Sequence, residues 1–227
     1  MKRTVAVLFQ AVCALMVSVA APALAASSAI QVQTVGDVFP TDGQYTLGFE
    51  FMVTEELRLV TLGVFDAGRD GLESPARVSL WLDDTAGTLL ASTEVPSGEG
   101  GLLEGNFRHV GISPVTLTPG VLYVVGAYTG TGLATSFNMG AGSSAGSVDS
   151  RLSGLVDRYW SDFSAGGNGN DFPLDSEGHV GGAWLGANFQ LSPVPEPATA
   201  GLLATGLLAA VLRRRLHRTP VGKPQPG

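Results

Sequence analysis

The segment "DAGRDGL", residues 66–72, comes closest to a recognisable set of oxygen ligands. Asp66, Asp70 and Gly71 stand at positions 1, 5 and 6 of a D-x-D-x-D-G loop, where carboxylates converge on calcium and glycine allows a sharp turn. Gly68 replaces the ligand at position 3, Arg69 puts a positive charge inside the loop, and Arg77 stands where a closing bidentate glutamate belongs. The competing reading is a polar turn between a strand ending at Phe65 and one starting at Arg77. Asp66 and Asp70 are therefore the metal candidates, with calcium as the candidate ion.

Other chemistry is thinner. "GSSAG", residues 142–146, matches the G-x-S-x-G nucleophile elbow around Ser144, and Asp171 or Asp175 followed by His179 keeps the Ser…Asp…His order of hydrolases. That elbow needs a strand before it and a helix after it. The segment is instead a Gly/Ser-rich tract with no helical period downstream. His109 and His179 lack H-x-H or H-E-x-x-H spacing. Carboxylates are plentiful, but nothing singles out a glycosidase-like pair. No catalytic residue is assigned, and the chain is expected not to be an enzyme. Sugar recognition by stacking on indole rings is the remaining thread. Trp81 points away from the Val78, Leu80 and Leu82 face and is expected in the core, whereas Trp160, beside a Gly-rich loop, is the ligand-binding candidate.

These residues have to be held by strands. "RVSLWLDD" and "NFRHVGI" alternate between two faces, and "VLYVVGAYT" is apolar on both, as expected of a covered central strand. "YTLGFEFMV", "LRLVTLGVFD", "TLLASTEV" and "GANFQL" are further strand candidates. Pro119-Gly120 is a turn dipeptide. Gly/Ser-rich stretches at 130–154 and 164–182 read as long loops or a weak strand pair. No helical period is sustained between the two ends of the chain. The fold expected is all-β, an antiparallel, jelly-roll-like β-sandwich forming one domain over residues 29–191.

Both ends differ from this middle. Lys2 and Arg3 precede an apolar run at 5–19, and Ala23-Leu24-Ala25 gives the small-x-small pattern of signal cleavage. Residues 1–25 therefore read as a signal peptide passed to the Sec translocon, with Ala23 and Ala25 marking the cut. The one cysteine, Cys13, lies inside it, so cysteine nucleophiles and thiolate metal sites are excluded from the mature chain. At the other end, residues 192–197 form a Pro-rich linker ending in Pro195-Glu196-Pro197, 198–212 are uncharged, and 213–227 are basic. The 15-residue run spans about 22 Å, short of a hydrocarbon core of about 30 Å. Its flanking Arg213, Arg214 and Arg215 nonetheless suit a transmembrane helix with a cytoplasmic basic tail, their stems extending its apolar reach.

Once the two ends are removed, six arginines face 20 acidic residues, a net charge of −14 with no lysine. Such a surface repels nucleic acid, which is excluded as a partner.

The order Pro-Glu-Pro, short apolar run, arginine cluster resembles the PEP-CTERM sorting signal of exopolysaccharide-producing Gram-negative bacteria. The resemblance implies an exosortase, an integral-membrane cysteine transpeptidase, as the partner that recognises the tail and releases or transfers the ectodomain. One departure is that 12 residues follow Arg215, where such tails usually stop within a few. "LGVFDAGRDGL", "VSLW", "GTLLAS", "FRHV", "LTPGVLYVVGAY" and "GANF" follow one another in an order that looks like an uncharacterised ectodomain common in PEP-CTERM proteins. That second resemblance implies no activity. The expectation is an exported surface or matrix protein, structural, adhesive or exopolysaccharide-associated. The alternatives are a secreted hydrolase acting on surface polysaccharide and a protein-display scaffold.

Overall fold

The computed structural model describes residues 25–35, 39–40, 45–128, 135–136, 145–161, 171–178, 186–194 and 206. The chain opens with β1 (Ser27–Ser28), β2 (Ile30–Thr34) and β3 (Phe39–Pro40), followed by β4 (Tyr45–Val53), β5 (Leu57–Phe65), β6 (Ala76–Leu82) and β7 (Thr88–Val95). It continues through β8 (Leu102–Glu104), β9 (Phe107–Leu117), β10 (Tyr123–Tyr128), β11 (Thr135–Ser136), β12 (Ala145–Val148), β13 (Leu152–Ser161) and β14 (Ala187–Pro193). Within 198–212 only Gly206 is described, and it is helical. Residues 1–24 and the rest of 198–212 lie outside the described residues.

Two five-stranded antiparallel sheets carry the fold: sheet I in the order β1-β14-β5-β9-β8, and sheet II in the order β13-β4-β10-β6-β7. β4 pairs with β10 and, nested inside that pair, β5 pairs with β9, the path of a hairpin rolled up on itself. The jelly-roll-like sandwich expected from the sequence is the observed architecture.

Alternation explains the core. In sheet II, Phe49, Phe51 and Val53 of β4, Val125 of β10 and Leu80 of β6 point inward and are buried. Leu59, Leu62 and Val64 of β5 and Ala187, Phe189 and Leu191 of β14 meet them from sheet I. Phe189 stacks on Phe51 with centroids 4.7 Å apart and on Phe49 at 6.2 Å, so one ring from the last strand sits between two from the fourth. Burying a ring of this size contributes about 1.5–3 kcal/mol before any ring–ring term.

β1, β2, β3, β8 and β13 were not among the strand candidates, and β11 and β12 fall in the 130–154 stretch read as a long loop or a weak strand pair. β13 carries Asp157 and Arg158 and is bulged between Ser153 and Val156, so its pattern never settles into alternation. It nevertheless pairs with β4 along eight positions. β12, inside the Gly/Ser-rich stretch, pairs with β2, again across a bulge.

Trp81 is buried, as expected, but not inside the sandwich. It points to the solvent side of sheet II, where Phe172 covers it edge-on at a centroid distance of 6.1 Å. The segment 171–178 supplies that cover. Its Asp175 exchanges both backbone hydrogen bonds with Tyr159 of β13, at 2.8 and 3.0 Å.

Candidate functional site

The 66–71 loop is organised by an arginine. Asp66 follows the last residue of β5 and is buried, and its Oδ2 accepts a 2.6 Å bond from Arg108 Nε and a 3.0 Å bond from the Gly71 N–H. Arg108 lies on β9, is 4% exposed, and donates further to the carbonyls of Glu99 at 3.0 Å and Arg69 at 3.3 Å. Leu72 and Gly98 bridge the same two loops. Arg69 adopts φ 61°, the left-handed conformation that a non-glycine residue rarely takes. The Arg108 guanidinium is thus the cationic partner of the Asp66 carboxylate. Asp70 is exposed, and among the described residues no group of three or more His, Asp or Glu side chains gathers to hold a metal.

Trp160 lies near the end of β13, half-buried, on the solvent side of sheet II. Register places it opposite Thr46 of β4, and Thr46 opposite Tyr128 of β10. Two residues along, Arg158 binds Glu50 through Nε at 2.8 Å and again through a terminal nitrogen, which also reaches Asp83 at 2.8 Å. Its other terminal nitrogen donates to the Leu174 carbonyl at 3.2 Å, pinning the 171–178 segment to the sheet. Gly48 and Gly126 lie side by side on this face. A Cβ on Gly126 would sit 2.8 Å from Thr46 Cγ2 and 3.3 Å from Trp81 Cζ3, so the missing side chain is what admits the indole.

A third cluster was not anticipated. His109 of β9 is 2% exposed, and its Nδ1 lies 3.2 Å from the Thr61 hydroxyl, which donates to Gln190 Oε1 at 3.1 Å. Gln190 donates in turn to Glu104, whose other oxygen accepts from Ser28 at 2.9 Å. Glu104 and Ser28 sit on the opposite edge strands of sheet I. Four strand spacings, about 19 Å when flat, would separate them, so the sheet curls until its edges are joined by side chains. The His109 Nε2 is buried with no hydrogen-bond partner among the described residues. Burial pushes the ring's pKa down to about 4, against a smaller upward pull from Glu104. A Cβ at Gly63 would lie 2.5 Å from His109 Nδ1, so only glycine leaves room for the ring.

Of the signal-cleavage pair, Ala25 is exposed just before β1. Beside it, Ser27 and Arg151 both bind Asp149, and the Arg151 bonds hold that carboxyl at about 2. Ala23, Ser144, His179, Trp184, Pro195, Glu196, Pro197, Arg213, Arg214 and Arg215 lie outside the described residues.

Comparison with known proteins matches residues 32–179 to a domain of unknown function, DUF4082, and residues 193–215 to the PEP-CTERM protein-sorting motif. No curated protein matches the chain. The second match marks an exported protein sorted through an exosortase and anchored or processed at the membrane. The first spans well over half of the chain, which therefore belongs to the DUF4082 family.

Proposed function

We propose that this protein is a non-enzymatic component of the cell surface or extracellular matrix that associates with exopolysaccharide through the solvent-side face of sheet II. The observation that carries the reading is the position of Trp160. It is half-buried on a sheet face that the Arg158 ion pairs tie together. A rigid aromatic group on a regular sheet binds a sugar ring at little entropic cost. The sorting motif begins at residue 193, where the last strand ends, so delivery and the folded domain occupy adjoining parts of one chain.

The test is co-sedimentation of the full chain, in mild detergent, with exopolysaccharide from the producing cells. Saturable binding that leaves the polymer's length unchanged is expected. Shortening of the polymer would replace this reading with the hydrolase, and absence of binding would remove the glycan role.

A further inference from the structure

The cross-strand row on sheet II continues past the pair already described. Trp160, Thr46, Tyr128, Arg77 and Glu94 follow one another on β13, β4, β10, β6 and β7. The neighbouring inward positions, Leu47, Ala127 and Val78, are buried, which fixes the row on the solvent side. Trp160 and Tyr128 are both half-buried, with buried Thr46 between them. They are two strand spacings apart, about 9.6 Å. That is close to the repeat of a β1→4-linked hexopyranose chain, in which every second ring presents the same face.

Charge narrows the sugar. Glu50, Asp83 and Glu94 belong to this face or its rim, and the 171–178 segment adds Asp171 and, at the β13 edge, Asp175. Among the described residues only Arg158 and Arg77 oppose them, each engaged with carboxylates at 2.8 and 3.8 Å respectively. Five carboxylates against two guanidinium groups repel a polyuronate and attract ammonium groups, which also bind the faces of indole and phenol rings.

We propose that the Trp160–Thr46–Tyr128 row is a platform for an extended β-linked polymer of amino sugars carrying free ammonium groups. This rests on the glycan reading above and names its ligand class. The two rings take alternate sugar rings of the chain, and the surrounding carboxylates select for the ammonium groups on them.

The experiment is titration of the full chain in detergent with a glucosamine hexamer, its fully N-acetylated counterpart and an oligogalacturonate, at low and physiological salt. The glucosamine hexamer is expected to bind saturably, the acetylated hexamer more weakly and the galacturonate not at all. Trp160→Ala and Tyr128→Ala are each expected to weaken binding about tenfold. Trp160→Phe, which keeps a ring, should recover most of it and serves as the variant to read should Trp160→Ala fail to fold. Equal binding of both hexamers, lost in Trp160→Ala, would overturn the ammonium preference while leaving the glycan reading intact. Binding that both alanine variants retain and that salt abolishes would overturn the platform, leaving only general attraction to an acidic protein. No binding of either hexamer would also overturn it; the native exopolysaccharide then decides the broader reading separately.

Discussion

Arg108 shows how much one buried charge can organise. It closes the 66–71 loop, reaches the carbonyls of two loops, and is compensated by the buried carboxylate of Asp66. Arg108→Ala leaves that carboxylate buried and unpaired and is expected to cost about 3–5 kcal/mol in denaturant unfolding. Replacing Arg108 and Asp66 together with apolar residues should cost clearly less, because no charge is then stranded. His109 predicts a pH dependence. Its folded-state pKa of about 4 lies below the 6.5 of an unfolded chain, so between these values the unfolded state binds more protons. Stability is therefore fully present above about 6.5 and falls as the pH drops towards 4, by roughly 3 kcal/mol for this group. His109→Gln should flatten that part of the pH–stability curve; an unchanged slope would assign the effect elsewhere. The sequence showed Arg108 and His109 only as alternating strand residues. Asp66 is 42 residues from Arg108, so the partner that occupies its carboxylate is one that no local spacing encodes.

Among the elements, the strands with clean alternation were legible. β4 and β7 begin and end at the residues that their patterns indicated, and β5, β6, β9, β10 and β14 were located with only their ends displaced. β13 was hidden by its bulge and by Asp157 and Arg158, whose burial depends on partners elsewhere: Asp157 accepts the Glu177 N–H at 2.7 Å, and Arg158 binds Glu50 and Asp83. The placement of Trp160 was therefore illegible, because a tryptophan's face is known only once its strand is. The cover on Trp81 was equally unreadable, since the 171–178 segment has no strand pattern and is held by a backbone bridge, by Arg158, by the Asp157 carboxylate and by a ring contact. Phe172→Ala is expected to uncover Trp81, shifting its emission to longer wavelength and increasing proteolysis near residue 172. The global loss should be no more than about 3 kcal/mol, because the sandwich core is not touched.

At the scale of the molecule, charge and topology dominate. A net charge of −14 over residues 26–212, with no lysine, makes self-repulsion a standing cost of the compact state. Raising sodium chloride from about 10 mM to 150 mM shortens the screening length from about 30 Å to 8 Å and should raise the thermal midpoint measurably. A falling midpoint would mean that the ion pairs of Arg108, Arg151 and Arg158 outweigh the repulsion. The class of fold could be read from composition and alternation, but the pairing of its first and last strands could not. β14 lies in the interior of sheet I, between β1 and β5. For a chain synthesised from its N-terminus, this arrangement acts as a clock. Until residues 187–193 emerge, β5 has an open edge, β1 has nothing to pair with, and the space between Phe49 and Phe51 has no ring to fill it. The last strand to arrive thus locks the first in place, and only then does the sheet close, with the sorting motif following immediately behind.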